Sequence, residues 1–120
     1  MRLIPWSTRP PARRASEKRP MHIEREQLGS EVVLKVAGRL DTPNAKPFEA
    51  SLMEVVTTTD GGLLVNLAGV DYVSSSGLRA LLVAGKAMRT AKRKLTLSSL
   101  QPQIREVFDI SGFSTLFEIT

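Results

Sequence analysis

The chain has 120 residues, the length of a single domain with one core, and it contains no cysteine and a single histidine. Disulfides, a thiolate nucleophile and cysteine- or histidine-rich metal sites are thereby excluded, and no apolar run approaches the roughly 18 residues that a membrane-spanning helix needs. The net charge of +5 belongs to residues 1–20, which hold six of the 17 basic residues and one of the 12 acidic ones, leaving 11 of each in residues 21–120. The basic balance is therefore that of a tail and gives no reason to expect direct nucleic-acid binding by the rest.

Residues 1–20 include Pro5, Pro10, Pro11 and Pro20 and show no hydrophobic period. They read as a disordered, basic, Pro/Arg-rich extension, with Trp6 as its one aromatic anchor. A secretory signal's apolar core is missing, so the default expectation is a cytoplasmic protein with no membrane insertion. Residues 21–120 form the expected domain.

His22 to Gln27 predicts a half-exposed strand and Gly29-Ser30 a turn. Glu31 to Leu40 is a firm strand, with Val32, Leu34, Val36 and Gly38 on one side and Val33 and Lys35 on the other. The short turn predicts an antiparallel hairpin. Asp41-Thr42-Pro43 opens a helix to about Thr57, in which Asp41 or Thr42 caps and Pro43 takes the first helical position. Phe48, Leu52, Val55 and Val56 face the sheet, and Asp60-Gly61-Gly62 turns the chain.

Leu63 to Leu67 is almost continuously apolar, which predicts a central strand buried on both faces. Asn66 interrupts it with an amide that the adjoining loop must satisfy. Gly69 permits a bend, after which Val70 and Tyr72 return to the sheet or plug its end. Ser74-Ser75-Ser76-Gly77 then leads into a helix from about Ser75 to Thr90, with Leu78, Leu81, Leu82, Gly85 and Met88 inward and Arg79, Lys86, Arg89 and Lys92 outward. Gly85 reads equally as a close backbone approach or as a tolerated helix glycine costing roughly 1 kcal/mol. Lys92-Arg93-Lys94 reads as a solvated basic turn. Leu95 to Leu100 is a strand, and Pro102 opens a helix burying Ile104, Val107, Phe108 and Ile110 that ends at Ser111-Gly112. Phe113 to Ile119 closes with a short turn and an edge strand.

The expected fold class is α/β: one small domain, a mixed sheet of four to five strands with helices packed against it, an initial hairpin followed by βαβα units joined by right-handed crossovers. The chemistry concentrates at the serine junction, at the carboxyl end of a strand and the start of a helix. Unpaired backbone N–H groups and the helix dipole favour an anion there, whether bound or covalent. A phosphoserine would add about −1.5 to −2 charge and three acceptor oxygens. Taken alone, the junction also reads as one capping serine and two small spacers. Enzyme chemistry finds no support. The Gly-x-Ser-x-Gly elbow is missing, His22 is the only imidazole and nothing in the pattern recommends it, no spacing supports a serine–lysine pair with Lys86 or Lys92, and no phosphate-cradling loop occurs. No cofactor or metal is expected.

Gly38-Arg39-Leu40-Asp41, Val65 to Val70, and Val73-Ser74-Ser75-Ser76-Gly77-Leu78, in this order, resemble the STAS domain of anti-sigma factor antagonists and of sulphate-type transporters, over roughly residues 22–120. The resemblance implies a partner, an anti-sigma factor that is also a serine kinase, and a phosphatase that reverses its action. It implies Ser75 as the phosphorylated residue ahead of Ser76 and Ser74. It also implies a partner-binding surface of Gly38, Arg39, Asp41, Asn66, Ser74, Ser75, Ser76, Gly77 and Arg79. Many members carry aspartate where this chain has Asn66 and Ser74, so negative charge is reduced near the acceptor. The alternative under the same resemblance is a non-catalytic STAS subunit of a transport system or another signalling assembly. The sequence sets neither an oligomeric state nor the identity of the sigma factor.

Overall fold

Strand order follows chain order in the computed structural model, which describes residues 21–120. The extension expected over residues 1–20, Trp6 included, lies outside the described residues. Strands β1 (His22–Leu28) and β2 (Glu31–Leu40) form the predicted antiparallel hairpin, turned by Gly29 at φ 65°. Then follow α1 (Thr42–Thr58), β3 (Leu63–Val73), α2 (Ser75–Thr90), β4 (Leu95–Ser98), α3 (Pro102–Ser111), a 3₁₀ turn (Phe113–Thr115) and β5 (Glu118–Ile119). The sheet runs β1-β2-β3-β4-β5, and every pairing after the hairpin is parallel. This is the mixed α/β architecture expected from the alternating pattern.

The order has a geometric consequence. Each of the three crossovers steps in the same direction across the sheet, and right-handed crossovers that never reverse put all their helices on one face. One core cluster accordingly joins Val32, Leu34 and Val36 of β2, Leu63, Val65 and Leu67 of β3, and Leu95 and Leu97 of β4 to Phe48, Leu52, Leu81, Met88, Ile104 and Phe108 of the helices. On the opposite face Lys35 is exposed, and Val33, Ala37, Leu64, Asn66 and Thr96 are half-buried. The expectation that β3 is buried on both faces is therefore corrected. Its start alternates between a covered and an uncovered face, and Leu64 is the apolar residue that hid the alternation.

β3 also continues through Gly69 to Val73, so of the two expected alternatives Val70 and Tyr72 return to the sheet. Against β2 it carries extra residues at two register shifts, between Lys35/Ala37 and Gly38/Arg39. Bulges of this kind add twist without ending the ladder. A Cβ on Gly69 would sit 2.7 Å from the Ala37 Cβ, so the glycine allows the strands to pass. Gly85 is resolved in the same way: a Cβ there would sit 2.8 Å from the Phe117 ring, so α2 needs the gap. Ile110 is 79% exposed, contrary to expectation. It follows Phe108 by two residues, about 200° round the helix, which turns it away from the core. Gly112 ends α3 at φ 81°, as its sequence position predicts.

The basic turn after α2 is only partly a solvated surface. Arg93 donates through Nε to the Gly61 carbonyl (2.8 Å), through one terminal nitrogen to the Val56 carbonyl (2.7 Å) and through the other to the Thr59 hydroxyl (2.9 Å). It thus ties the end of α1 and the following turn to the segment that enters β4. Hydrogen bonds from a charged donor are the stronger class, so this side chain is a structural staple.

Candidate functional site

Strands β2 and β3 end in register, with Leu40 opposite Val73. The next residue on each strand is a helix N-cap. Asp41 caps α1 by accepting from the Asn44 amide at 3.2 Å, and Ser74 caps α2 by accepting from the Gly77 amide at 3.2 Å. Of the two caps proposed for α1, Asp41 is the one used, and Pro43 falls one place inside the helix start at Thr42. The Ser74 amide donates to the Leu40 carbonyl at 2.8 Å, extending the strand ladder by one bond and locking the caps together. Two helix starts therefore lie side by side at one end of the sheet. Each offers partial positive charge in its first turn, and neither carries an acidic residue there.

Gly77 makes that closeness possible. A Cβ at Gly77 would lie 3.0 Å from both the Leu40 Cβ and the Leu40 carbonyl oxygen. A larger residue would push the first turn of α2 off the end of β2. Leu40 thus brings the Asp41 cap and the Ser74 to Gly77 segment together, while Gly38 lies opposite Val70 and Arg39 opposite Tyr72 on the approach to this end of the sheet.

The three serines divide the work. Ser74 is half-buried and caps, Ser75 is exposed at the first position of α2, and Ser76 is half-buried. Ser76 lines a groove of about 460 Å³ between the starts of α1 and α2, together with Thr42, Pro43, Lys46, Glu49 and Arg79. The one capping serine expected at the junction is Ser74. Ser75 is the one hydroxyl of the three presented outward.

Arg39 and Tyr72 make a feature that the residue pattern did not disclose. They are cross-strand partners, and the Arg39 guanidinium stacks 4.2 Å from the Tyr72 ring centroid. Arg39 Nε also lies 3.7 Å from Asp41 Oδ2, and the Asn44 side-chain amide donates to the Arg39 carbonyl at 2.8 Å. The ring therefore fixes a cation beside the α1 cap. The signal available in the sequence was an exposed aromatic next to an acid, Asp71-Tyr72, at a strand end. Arg79 is exposed one turn beyond Ser75.

Asn66 is not part of this grouping. It pairs with Lys35, five residues before Leu40, which puts it about 17 Å from the junction by strand rise. It sits on the uncovered sheet face, where its side-chain oxygen accepts from the Ala68 amide at 2.9 Å. The amide is satisfied locally, as expected, but it is half-buried rather than enclosed.

Among the described residues no group of His, Asp and Glu side chains is placed to hold a metal ion, and no helix is long and apolar enough to cross a membrane. The sheet order does not reverse, so the end of the strands has no topological switch point, where open α/β sheets form their ligand crevice. The geometry suits a projecting surface better than an enclosed pocket.

A family model for the STAS domain matches residues 22–120. BtrV of Bordetella bronchiseptica, provisionally named an anti-sigma factor antagonist, is 32% identical over 99 residues, covering 82% of this chain and 85% of its own length. Among solved structures, an anti-sigma factor antagonist from Mycobacterium paratuberculosis superimposes with a TM-score of 0.74 at 20% identity, over 82% of this chain and 84% of that one. The Bacillus cell fate determinant SpoIIAA, solved in its phosphorylated form, superimposes with a TM-score of 0.66 at 19% identity, over 82% and 91% of the two chains. These two likenesses concern the fold.

Proposed function

The chain belongs to the STAS-domain family, and from that premise we propose that it is an anti-sigma factor antagonist: a non-catalytic domain that binds an anti-sigma factor of the serine-kinase type and is switched off by phosphorylation of Ser75. The observation that carries the reading is the placement of Ser75, the only outward hydroxyl of the three, on a helix start held by a bond to the neighbouring strand. A kinase needs a hydroxyl it can reach without unfolding its substrate, and Ser74 and Ser76 are less available.

The proposed binding surface is the end of the sheet formed by Gly38, Arg39 and Asp41, the junction Ser74 to Gly77, and Arg79. Transfer of the γ-phosphoryl group of ATP to the Ser75 oxygen releases ADP and the hydroxyl proton. It leaves about two negative charges on a surface previously neutral at that point. The first turn of α2 tolerates the added anion because its free N–H groups and dipole favour it. The fold is thereby preserved while the face offered to the partner becomes strongly negative at Ser75, and the complex dissociates. A phosphatase restores the binding form. Arg79, one turn further along α2, is the cation of that helix nearest to the added phosphate.

Incubation with the cognate anti-sigma kinase and ATP, followed by mass-spectrometric mapping, tests the assignment. A single phosphate on Ser75 that disappears in Ser75→Ala is the expected result. Modification that maps elsewhere, or that persists in Ser75→Ala, refutes it.

A further inference from the structure

The distal half of α2 presents a surface that the Ser75 site does not use. From Ser75 to Lys94 the chain contains six basic residues (Arg79, Lys86, Arg89, Lys92, Arg93 and Lys94) and no acidic one. Arg93 is committed to the carbonyls and hydroxyl described above, and Lys94 pairs with Glu118 at 3.1 Å. Lys86, Arg89 and Lys92 are exposed and have no acidic partner among the described residues.

Lys86 and Arg89 border an apolar groove of about 290 Å³, lined by Leu82, Gly85, Lys86, Arg89, Leu116 and Phe117. Leu116 is 43% exposed at its rim, and Phe117 forms its floor because Gly85 has no side chain to cover the ring. Lys92 adds positive charge beyond the end of the helix, outside the groove's lining. It follows the helix with φ 60°, a left-handed conformation in which glycine is the common residue and a β-carbon is strained. Here it closes the helix ending, in which the Lys92 amide donates to the Arg89 carbonyl (2.9 Å) and the Arg93 amide to the Met88 carbonyl (2.8 Å).

We propose that this groove docks an acidic segment of a partner protein that inserts one apolar side chain between Lys86, Arg89 and Leu116. Charge complementarity selects the acidic flanks. The groove's volume and carbon-lined floor select an apolar anchor, which a phosphate backbone does not provide. A favourable interaction of cations with the helix C-terminus accounts for Arg89 alone, but not for the adjoining apolar slot. Lys86 is 11 residues beyond Ser75, roughly 16 Å along the helix axis, so the groove lies outside the grouping around Ser75. The inference does not rest on the anti-sigma reading and is tested with this protein alone.

The probe is a synthetic peptide of four glutamates flanking a central leucine–phenylalanine pair, titrated into the isotopically labelled full chain and followed by NMR. Amide shifts clustered at Gly85, Lys86, Arg89 and Leu116 are expected, with affinity falling at least tenfold in Lys86→Glu/Arg89→Glu and in Leu116→Ser. Unchanged urea midpoints in these surface variants would assign the loss to binding. Equal binding of a control peptide with serines at its centre overturns the proposal. So do shifts scattered over all exposed cations, tighter binding of a uridine 12-mer, or no shift at millimolar peptide. Failure here leaves the Ser75 assignment untouched, because that assignment is read by phosphosite mapping.

Discussion

Replacing Ser74 by alanine removes the acceptor for the Gly77 amide and leaves the exposed hydroxyl of Ser75 in place. Loss of a serine cap costs about 1 kcal/mol, within a range of roughly 0.5–2. The 3.2 Å bond is of ordinary length or slightly longer, which favours the middle of that range or below. The Ser74 amide keeps its bond to the Leu40 carbonyl, so the strand end stays anchored and the effect should not spread. Ser75→Ala should lie between neutral and about 0.5 kcal/mol stabilising, because an exposed first-turn serine gives way to a better helix former. Ser76→Ala should fall within about 0.5 kcal/mol, since Ser76 is half-buried and the cap bond is made by Ser74. Ser74→Asp restores the acceptor and adds a carboxylate favoured by the helix dipole, recovering the loss. Urea unfolding of the four variants, with slopes unchanged, measures the series. For a domain of about 100 residues, 1 kcal/mol corresponds to about 4–8 °C in Tm. The division of labour is refuted if Ser75→Ala is as destabilising as Ser74→Ala.

Arg93→Ala should cost about 2 kcal/mol or more, and Arg93→Lys should recover only part of it, because a single ammonium cannot span two carbonyls and a hydroxyl; thermal unfolding of both variants checks this. Gly61→Ala would place a Cβ 1.7 Å from the Ser30 carbonyl oxygen, so the turn must shift at a cost of about 1–3 kcal/mol, and hydrogen exchange should quicken at the Val32 amide, which donates to the Gly62 carbonyl at 3.0 Å. Ser75→Asp should weaken capture of the anti-sigma partner in a pull-down while leaving the circular dichroism spectrum unchanged; equal capture of both proteins counts against an electrostatic switch.

Patterns within ten or so residues carried most of the fold into the sequence reading. The alternation of Val32, Leu34 and Val36 specified one face of β2, and Asp41-Thr42-Pro43 marked a helix start. Properties that depend on partners distant in sequence were less legible. The uncovered face of β3 follows from the handedness of three separate crossovers, and Leu64 disguised it. Arg93 looked like one cation in a basic turn because its acceptors, Gly61, Val56 and Thr59, lie more than 30 residues earlier. At the site, the three hydroxyls were evident from spacing and the resemblance put Ser75 first, whereas the bond from the Ser74 amide to the Leu40 carbonyl, between residues 34 positions apart, was not legible. Asn66 shows the opposite failure. The resemblance grouped it with the junction, and strand register puts it several residues away on the other face of the sheet.

The unreversed strand order also bears on how the chain folds. Parallel sheets are slow to assemble when neighbouring strands are far apart in the chain, because loop closure comes before any pairing rewards it. Here every parallel neighbour is reached after a single helix, so the sheet can grow outward from the β1–β2 hairpin by accretion, each crossover closing one short loop. The growing edge is the hazardous part of such a route, since an unpaired strand of Val and Leu is a template for other chains. That hazard falls on β3 until β4 is in place, and on β4 thereafter, because β5 contributes only two paired residues to its outer edge.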